Sequence, residues 1–154
     1  MSTNTILETL QEMDFAQELK PEHLEKLATM ATEMEFPEKA TIFQEGELSE
    51  KIYLIIDGKV AVEIFVPSKG RVTILTLRDP QTLGWSPIFE NKPNTASGRA
   101  MVPTKTLALD AKQLRNVCQE DHELGCALGW RVAETIAGRL KATRLQLLDI
   151  FAHE

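Results

Sequence analysis

The spacing of hydrophobic and polar positions changes twice along this chain. Over residues 4–13 and 21–32 the pattern is helical, with Leu24, Leu27, Ala28 and Ala31 recurring at three- and four-residue steps. Pro21 suits a first helical turn, and Glu22 sits there against the positive end of the helix. From Glu35 to Asp110 the chain reads instead as short β runs separated by turn residues. Ile52-Tyr53-Leu54-Ile55-Ile56 is followed at once by Asp57-Gly58, which predicts a hairpin. Val60, Val62, Ile64 and Val66 alternate and can share one face of the next strand. Pro67-Ser68-Lys69-Gly70 predicts another turn, Val72, Ile74 and Leu77 a further strand, and Thr104–Leu109 the last one.

From Ala111 the helical period returns, and the final helix is predicted over about residues 121–150. Ala133, Ile136/Ala137, Leu140, Thr143/Arg144, Leu147 and Ile150/Phe151 form a heptad-like seam, while Leu124, Leu128 and Val132 serve a second face. A helix apolar on two sides is wedged between its own domain and a partner, which predicts a homodimer through this C-terminal helix. The element order gives a mainly β fold with flanking helices: a double-stranded β-helix, or jelly-roll, of about eight strands. One domain is expected over 1–154, with N-terminal helices over 1–34, the β-roll over 35–110 and C-terminal helices over 111–154.

Composition adds exclusions. With 154 residues, 43% of them hydrophobic, the chain can bury a core without staples. No apolar run approaches the roughly 18 residues that cross a bilayer, and no secretion signal is visible, so a cytoplasmic protein without membrane contact is expected. Cys118 and Cys126 are expected as buried small hydrophobes in a reducing compartment rather than as a disulfide. The net charge of −6 disfavours a phosphate backbone as partner. Arg131, Arg139, Lys141 and Arg144 are interleaved with Glu134 and followed by Asp149, which reads as a solvated helix face. No nucleic-acid binding by this chain alone is expected. His23, His122 and His153 all lie outside the strand region, so the ligand set of a metal-dependent jelly-roll enzyme is missing. Ser86 stands in Gly-Trp-Ser-Pro, which is not a nucleophile elbow. The expectation is therefore non-enzymatic, with no catalytic residues and no metal.

Several segments carry a family likeness. Thr41-Ile-Phe-Gln-Glu-Gly46, Ile52-Tyr-Leu-Ile-Ile-Asp-Gly-Lys-Val60, Leu83-Gly84 with a short helix and then Thr95-Ala96, Thr106-Leu-Ala-Leu-Asp110, and Gly138-Arg-Leu-Lys-Ala-Thr143 occur in this order. Together they resemble the cyclic-nucleotide-binding domain of the catabolite activator protein and its relatives, over roughly residues 15 to 151. In the activator family a helix-turn-helix domain follows the long helix. Here the sequence stops at Phe151-Ala-His-Glu154, and a sensor domain without that output domain is expected.

The resemblance also implies a site. The family meets the ring phosphate with an arginine, backbone N–H groups and a hydroxyl, and the ribose hydroxyl with a glutamate; a threonine on the long helix reads the base. Carried over, the cassette glycine is Gly84, the glutamate position is Trp85, the helical turn starts at Ser86, the arginine position is Asn94, the following hydroxyl is Thr95, and the base reader is Thr143 beside Arg144. Indole only donates, and Asn94 carries no charge. Losing a charge-assisted phosphate contact costs about 2–5 kcal/mol, or roughly 30- to 3000-fold in affinity. Arg99 lies about 13 Å further along the strand from Thr95 and is a poorer substitute cation than Lys92. Trp85 can stack on a flat apolar ligand or fill the pocket. Arg144 is expected as a seam-edge residue paired across the dimer interface with Asp149 or Glu134, with a ligand contact beside Thr143 as the alternative. No resident cofactor is implied beyond a cyclic nucleotide or another small anion. The leading expectation is a sensor or regulatory module signalling through its long helix to a separate output protein. A ligandless interaction module and a true cyclic AMP or cyclic GMP binder with an altered pose stand beside it.

Overall fold

The computed structural model describes residues 3–13, 16–83, 86–89 and 91–153. Two helices, α1 (Thr3–Gln11) and α2 (Pro21–Met30), precede eight strands. These are β1 (Ala31–Phe36), β2 (Thr41–Phe43), β3 (Lys51–Asp57), β4 (Lys59–Val66), β5 (Gly70–Arg78), β6 (Thr82–Leu83), β7 (Ser97–Ala100) and β8 (Thr104–Asp110). A 3₁₀ turn over Ser86–Ile88 lies between β6 and β7, and α3 (Ala111–Glu120) and α4 (His122–Ala152) close the chain. The strands form two antiparallel four-stranded sheets, in the orders β1-β8-β3-β6 and β2-β7-β4-β5. The jelly-roll with flanking helices expected from the sequence is therefore the fold.

The first sheet is covered on both faces. Ile52, Leu54, Leu107 and Leu109 pack outward against Leu10, Leu24, Leu27, Leu114, Leu124 and Leu128 of the helices. Their neighbours Tyr53, Ile55 and Ala108 point inward, against Ile42, Val60, Leu77 and Leu83. A strand buried on both sides reads as a continuous apolar run, which accounts for Ile52–Ile56. The second sheet has one solvated face, and β5 accordingly alternates between exposed and covered positions.

Two local expectations are corrected. Asp57-Gly58 is not a hairpin: β3 belongs to the first sheet and β4 to the second, so the chain turns a corner there. Gly58 has φ +143°, and a Cβ on it would lie 2.5 Å from the Thr104 hydroxyl oxygen. The first strand begins at Ala31 rather than Glu35, because Ala31–Phe36 pairs residue for residue with Leu109–Thr104 and ends α2 at Met30. β4 keeps its alternation and pairs with β7 without a register shift; the irregularity lies in its other partner, β5. Val62 pairs with Leu75 but Glu63 with Thr73, leaving Ile74 as a bulge. Glu63 is buried in consequence of its partner, Arg99, whose Nε and Nη2 each donate to a Glu63 carboxylate oxygen at 3.0 Å. The turn before Gly70 forms as expected, with Gly70 at φ +79° and the Lys69 amide donating to the Val66 carbonyl.

The C-terminal helices are set by their caps. The Gln113 amide donates to Asp110 Oδ1 at 2.9 Å, and the Leu124 amide to Asp121 Oδ1 at 3.1 Å. Asp121 also pairs with Lys26 of α2 at 2.5 Å, and these contacts hold its carboxyl below the usual carboxylate range. Beneath this junction His23 is buried, its Nε2 3.9 Å from Asp121 and 4.0 Å from Glu123. Cys118 and Cys126 are free. Cys118 is half-buried, and burial pushes its thiol pKa up. Cys126 is exposed, against expectation, because it faces away from the apolar stripe of Leu124, Leu128 and Val132.

Two glycine substitutions separate backbone constraint from helix propensity. Gly58→Ala should destabilise the fold by about 2–4 kcal/mol, since it adds both a left-handed strain and a clash with Thr104. Gly129, in α4 with open space where its Cβ would stand, should gain about 0.5–1 kcal/mol as Ala. Urea unfolding of the two variants beside wild type measures both.

Candidate ligand-binding site

A cavity of about 820 Å³ opens where the second sheet, the segment before β7 and α4 meet. Its walls come from three parts of the chain. Phe43, Val62, Ile74 and Leu75 line it from the roll, together with Leu83 of β6. Phe89 and Lys92–Ala96 line it from the segment between the 3₁₀ turn and β7, and Ile136, Arg139, Leu140 and Thr143 from α4. The bulge at Ile74 explains why two successive residues of β5 face the same space: the extra residue resets the alternation within one step. Gly98 of β7 keeps the neighbouring wall thin, since a Cβ there would stand 2.6 Å from the Phe43 ring.

The residues singled out from the sequence fall out differently. Gly84 and Trp85 lie outside the described residues, and Ser86 is described only as backbone at the head of the 3₁₀ turn. Thr95 and Thr143 both line the cavity. The Thr143 hydroxyl donates back to the Arg139 carbonyl at 2.9 Å, a hydrogen bond within its own helix. Arg144 is exposed and does not line the cavity, so the structure does not bring it to the others. Within the chain, Glu134 meets Arg131 at 3.2 Å, and Asp149 meets His153 at 3.2 Å.

Asn94 is buried, and both hydrogens of its amide group are occupied. Nδ2 donates to the Gln44 carbonyl at 3.0 Å and to Ser49 Oγ at 2.7 Å. Its backbone N–H donates to the Glu47 carbonyl, and its carbonyl accepts from the Gly46 amide. Asn94 thus fastens the β2–β3 loop to the cavity segment. It lines the cavity with both amide donors already engaged. The 3₁₀ turn is held from the other side, where Arg115 Nη1 donates to the Pro87 carbonyl at 2.6 Å. Arg99 is committed to Glu63 and directs no charge into the cavity.

The cation that does reach the site was read as solvated. Arg139 of α4 turns inward, lines the cavity, and donates from Nη2 to the Thr82 carbonyl. It also lines a second cavity of about 370 Å³ beside Thr76, Gln81 and Glu134, so its side chain divides the two spaces. Burial pushes the guanidinium pKa down from its ordinary value. A signal existed in the sequence: Arg139 stands one helical turn before Thr143, and positions four apart share a face. The other arginine of the supposed solvated face, Arg131, is also largely covered, between Glu18 and Glu134.

Comparison with known proteins agrees with this architecture. The sequence model of the cyclic nucleotide-binding domain matches residues 33–121. A cyclic nucleotide-binding domain from Methylobacillus flagellatus superposes with a TM-score of 0.82 at 22% identity, over 96% of this chain and 83% of that one. A putative cyclic nucleotide-binding protein from Geobacter metallireducens gives 0.76 at 26% identity, over 86% and 96%. The sensor domain of the transcriptional regulator DNR from Pseudomonas aeruginosa gives 0.73 at 18%, over 90% and 93%. No curated protein sequence is significantly similar. The β-roll with flanking helices is that of the matched fold, and this chain belongs to the cyclic nucleotide-binding domain family.

The Glu63–Arg99 pair behind the cavity wall should leave a signature in acid. The Arg99 hydrogen bond holds the Glu63 carboxyl below the ordinary carboxylate value. Its stabilisation is complete above the unfolded glutamate pKa of about 4.3 and is lost as pH falls through the lower folded value. Glu63→Gln should therefore cost stability at neutral pH, and its difference from wild type should shrink towards pH 3. Urea unfolding at a series of pH values measures this.

Proposed function

We propose that this chain is a non-enzymatic, cytoplasmic regulatory module that binds a small molecule in the cavity and reports its occupancy through α4. One observation carries the reading: the cavity has three walls, and one of them is α4 itself, through Ile136, Arg139, Leu140 and Thr143. A ligand there touches the roll, the segment before β7 and the helix at once. Differential contact with two positions of the helix is the only physical route by which binding can shift it. Among the described residues the cavity lining carries no carboxylate, histidine or thiol, which supports binding over catalysis. The cyclic-nucleotide cassette has departed from the family's pattern at Trp85 and Asn94, and no helix is long and apolar enough to cross a membrane among the described residues.

The outlet is a second copy of the chain and, through it, a separate output protein. Ile136, Leu140, Leu147, Ile150 and Phe151 are all exposed along α4 and follow the seam spacing. The last buried residue of the helix is Val132, so the seam runs on beyond the domain that supports it. A second reading is a ligandless interaction module, favoured by Trp130, Leu145 and Leu148, which are exposed off the seam.

Two measurements test the dimer and the departed cassette. Sedimentation equilibrium should show a dimer for wild type and a monomer for Leu140→Glu with Leu147→Glu; a monomeric wild type overturns the helix-mediated dimer. Calorimetric titration with cyclic AMP and cyclic GMP should show no binding at low micromolar concentration. Tight binding of either would overturn the departed cassette and make the chain a cyclic-nucleotide binder with an altered pose.

A further inference from the structure

The charge pattern of the cavity narrows what it can hold. Its walls are largely aromatic and aliphatic, from Phe43, Val62, Ile74, Leu83, Phe89 and Leu140. A polar body such as a sugar or a purine would regain few of its hydrogen bonds here, chiefly from Thr95, Thr143 and Arg139, at a cost of about 1–3 kcal/mol per group left unpaired. One cation, Arg139, enters the cavity from α4, and among the described residues its side chain donates to a neutral carbonyl, that of Thr82. Among the described residues no carboxylate pairs with Arg139, whereas Arg99 and Arg131 each have a carboxylate partner. A guanidinium has five N–H donors in a fixed fork, so most remain for an incoming acceptor. The fork matches the two oxygens of a single carboxylate. The volume, about 820 Å³, lies within the roughly 300–1,000 Å³ typical of small-molecule sites.

We propose that the cavity takes a hydrophobic carboxylic acid, its apolar body against the roll and its carboxylate on Arg139. This rests on the sensor reading and names its ligand class. The acid supplies the missing anionic partner of a covered cation, and the apolar body covers walls that a nucleotide would leave poorly matched. Lys92, exposed at the rim, is the competing cation; it keeps its hydration and gains less from an anion than Arg139 does.

The test is calorimetric titration of the whole chain with decanoate and with naphthoate, each beside its neutral alcohol, decanol and naphthylmethanol. At least one acid should bind about tenfold or more tightly than its alcohol. Arg139→Gln should abolish that preference, Arg139→Lys should keep part of it, and Lys92→Gln should leave it intact. Circular dichroism checks that each variant is folded. Equal binding of acid and alcohol, or a preference lost in Lys92→Gln and kept in Arg139→Gln, overturns the assignment of the carboxylate to Arg139. Should cyclic AMP or cyclic GMP bind while neither acid does, the ligand class is wrong and the sensor reading stands. Should none of the acids, alcohols and nucleotides bind, the ligand class falls, and the ligandless interaction module replaces the sensor.

Discussion

The first sheet has to satisfy two cores at once, and the rest of the molecule is arranged around that requirement. Ile52 and Leu54 face the helices while Tyr53 and Ile55 face the roll, so a single strand ties both clusters together. A slip of one residue would exchange the two sets, placing side chains shaped for one core into the other. Both clusters resist this, because β3 is paired with β8 on one side and with β6 on the other. The helices can cover this sheet only if the chain leaves β8 straight into α3 and turns into α4. Asp110 and Asp121 supply those two starts by accepting from Gln113 and Leu124. Everything that later meets at the cavity inherits its position from this arrangement: α4 from its anchor on the first sheet, β5 and β7 from their place in the second.

The outer form of the fold was legible because periodicity reports burial directly. The doubly buried strand, the alternating strands and the two faces of the long helix each have a distinct spacing, and each produced its element. What failed were features that depend on a partner far along the chain. Asp57-Gly58 has the composition of a hairpin turn, yet a glycine with positive φ serves a corner between sheets equally well. Only the pairing partners of β3 and β4 distinguish the two. The start of β1 was missed for the same reason, since Ala31 continues the helical spacing of α2 but is claimed by Leu109.

The site was legible in outline and misread in its charges. Thr95 and Thr143 line one cavity, across some 48 positions of sequence separation. Asn94 was identified as a departure but not as a structural fastener, because its partners Gln44 and Ser49 carry no pattern that marks them. Arg139 was assigned to solvent because a run of basic residues interleaved with acids normally is solvated. The cue that separates them is positional and easily overlooked: Arg139 stands four residues before Thr143 and shares its face, whereas Lys141 does not. The sequence records which side of a helix is apolar; it does not record which long cationic stem lies down along that side and carries its charge inside.

The long helix has a further mechanical consequence. Its last fully buried residue is Val132, and about 30 Å of helix continues to Ala152 at 1.5 Å per residue. Arg139, by reaching back to Thr82, is a stay fixed a short way out along this lightly held beam. A beam held at its root by Asp121 and guyed near its base multiplies displacement: a small change in the length of the stay becomes a larger sweep at the tip. The same geometry works in reverse, so whatever grips the tip gains leverage over the space between Arg139 and the roll.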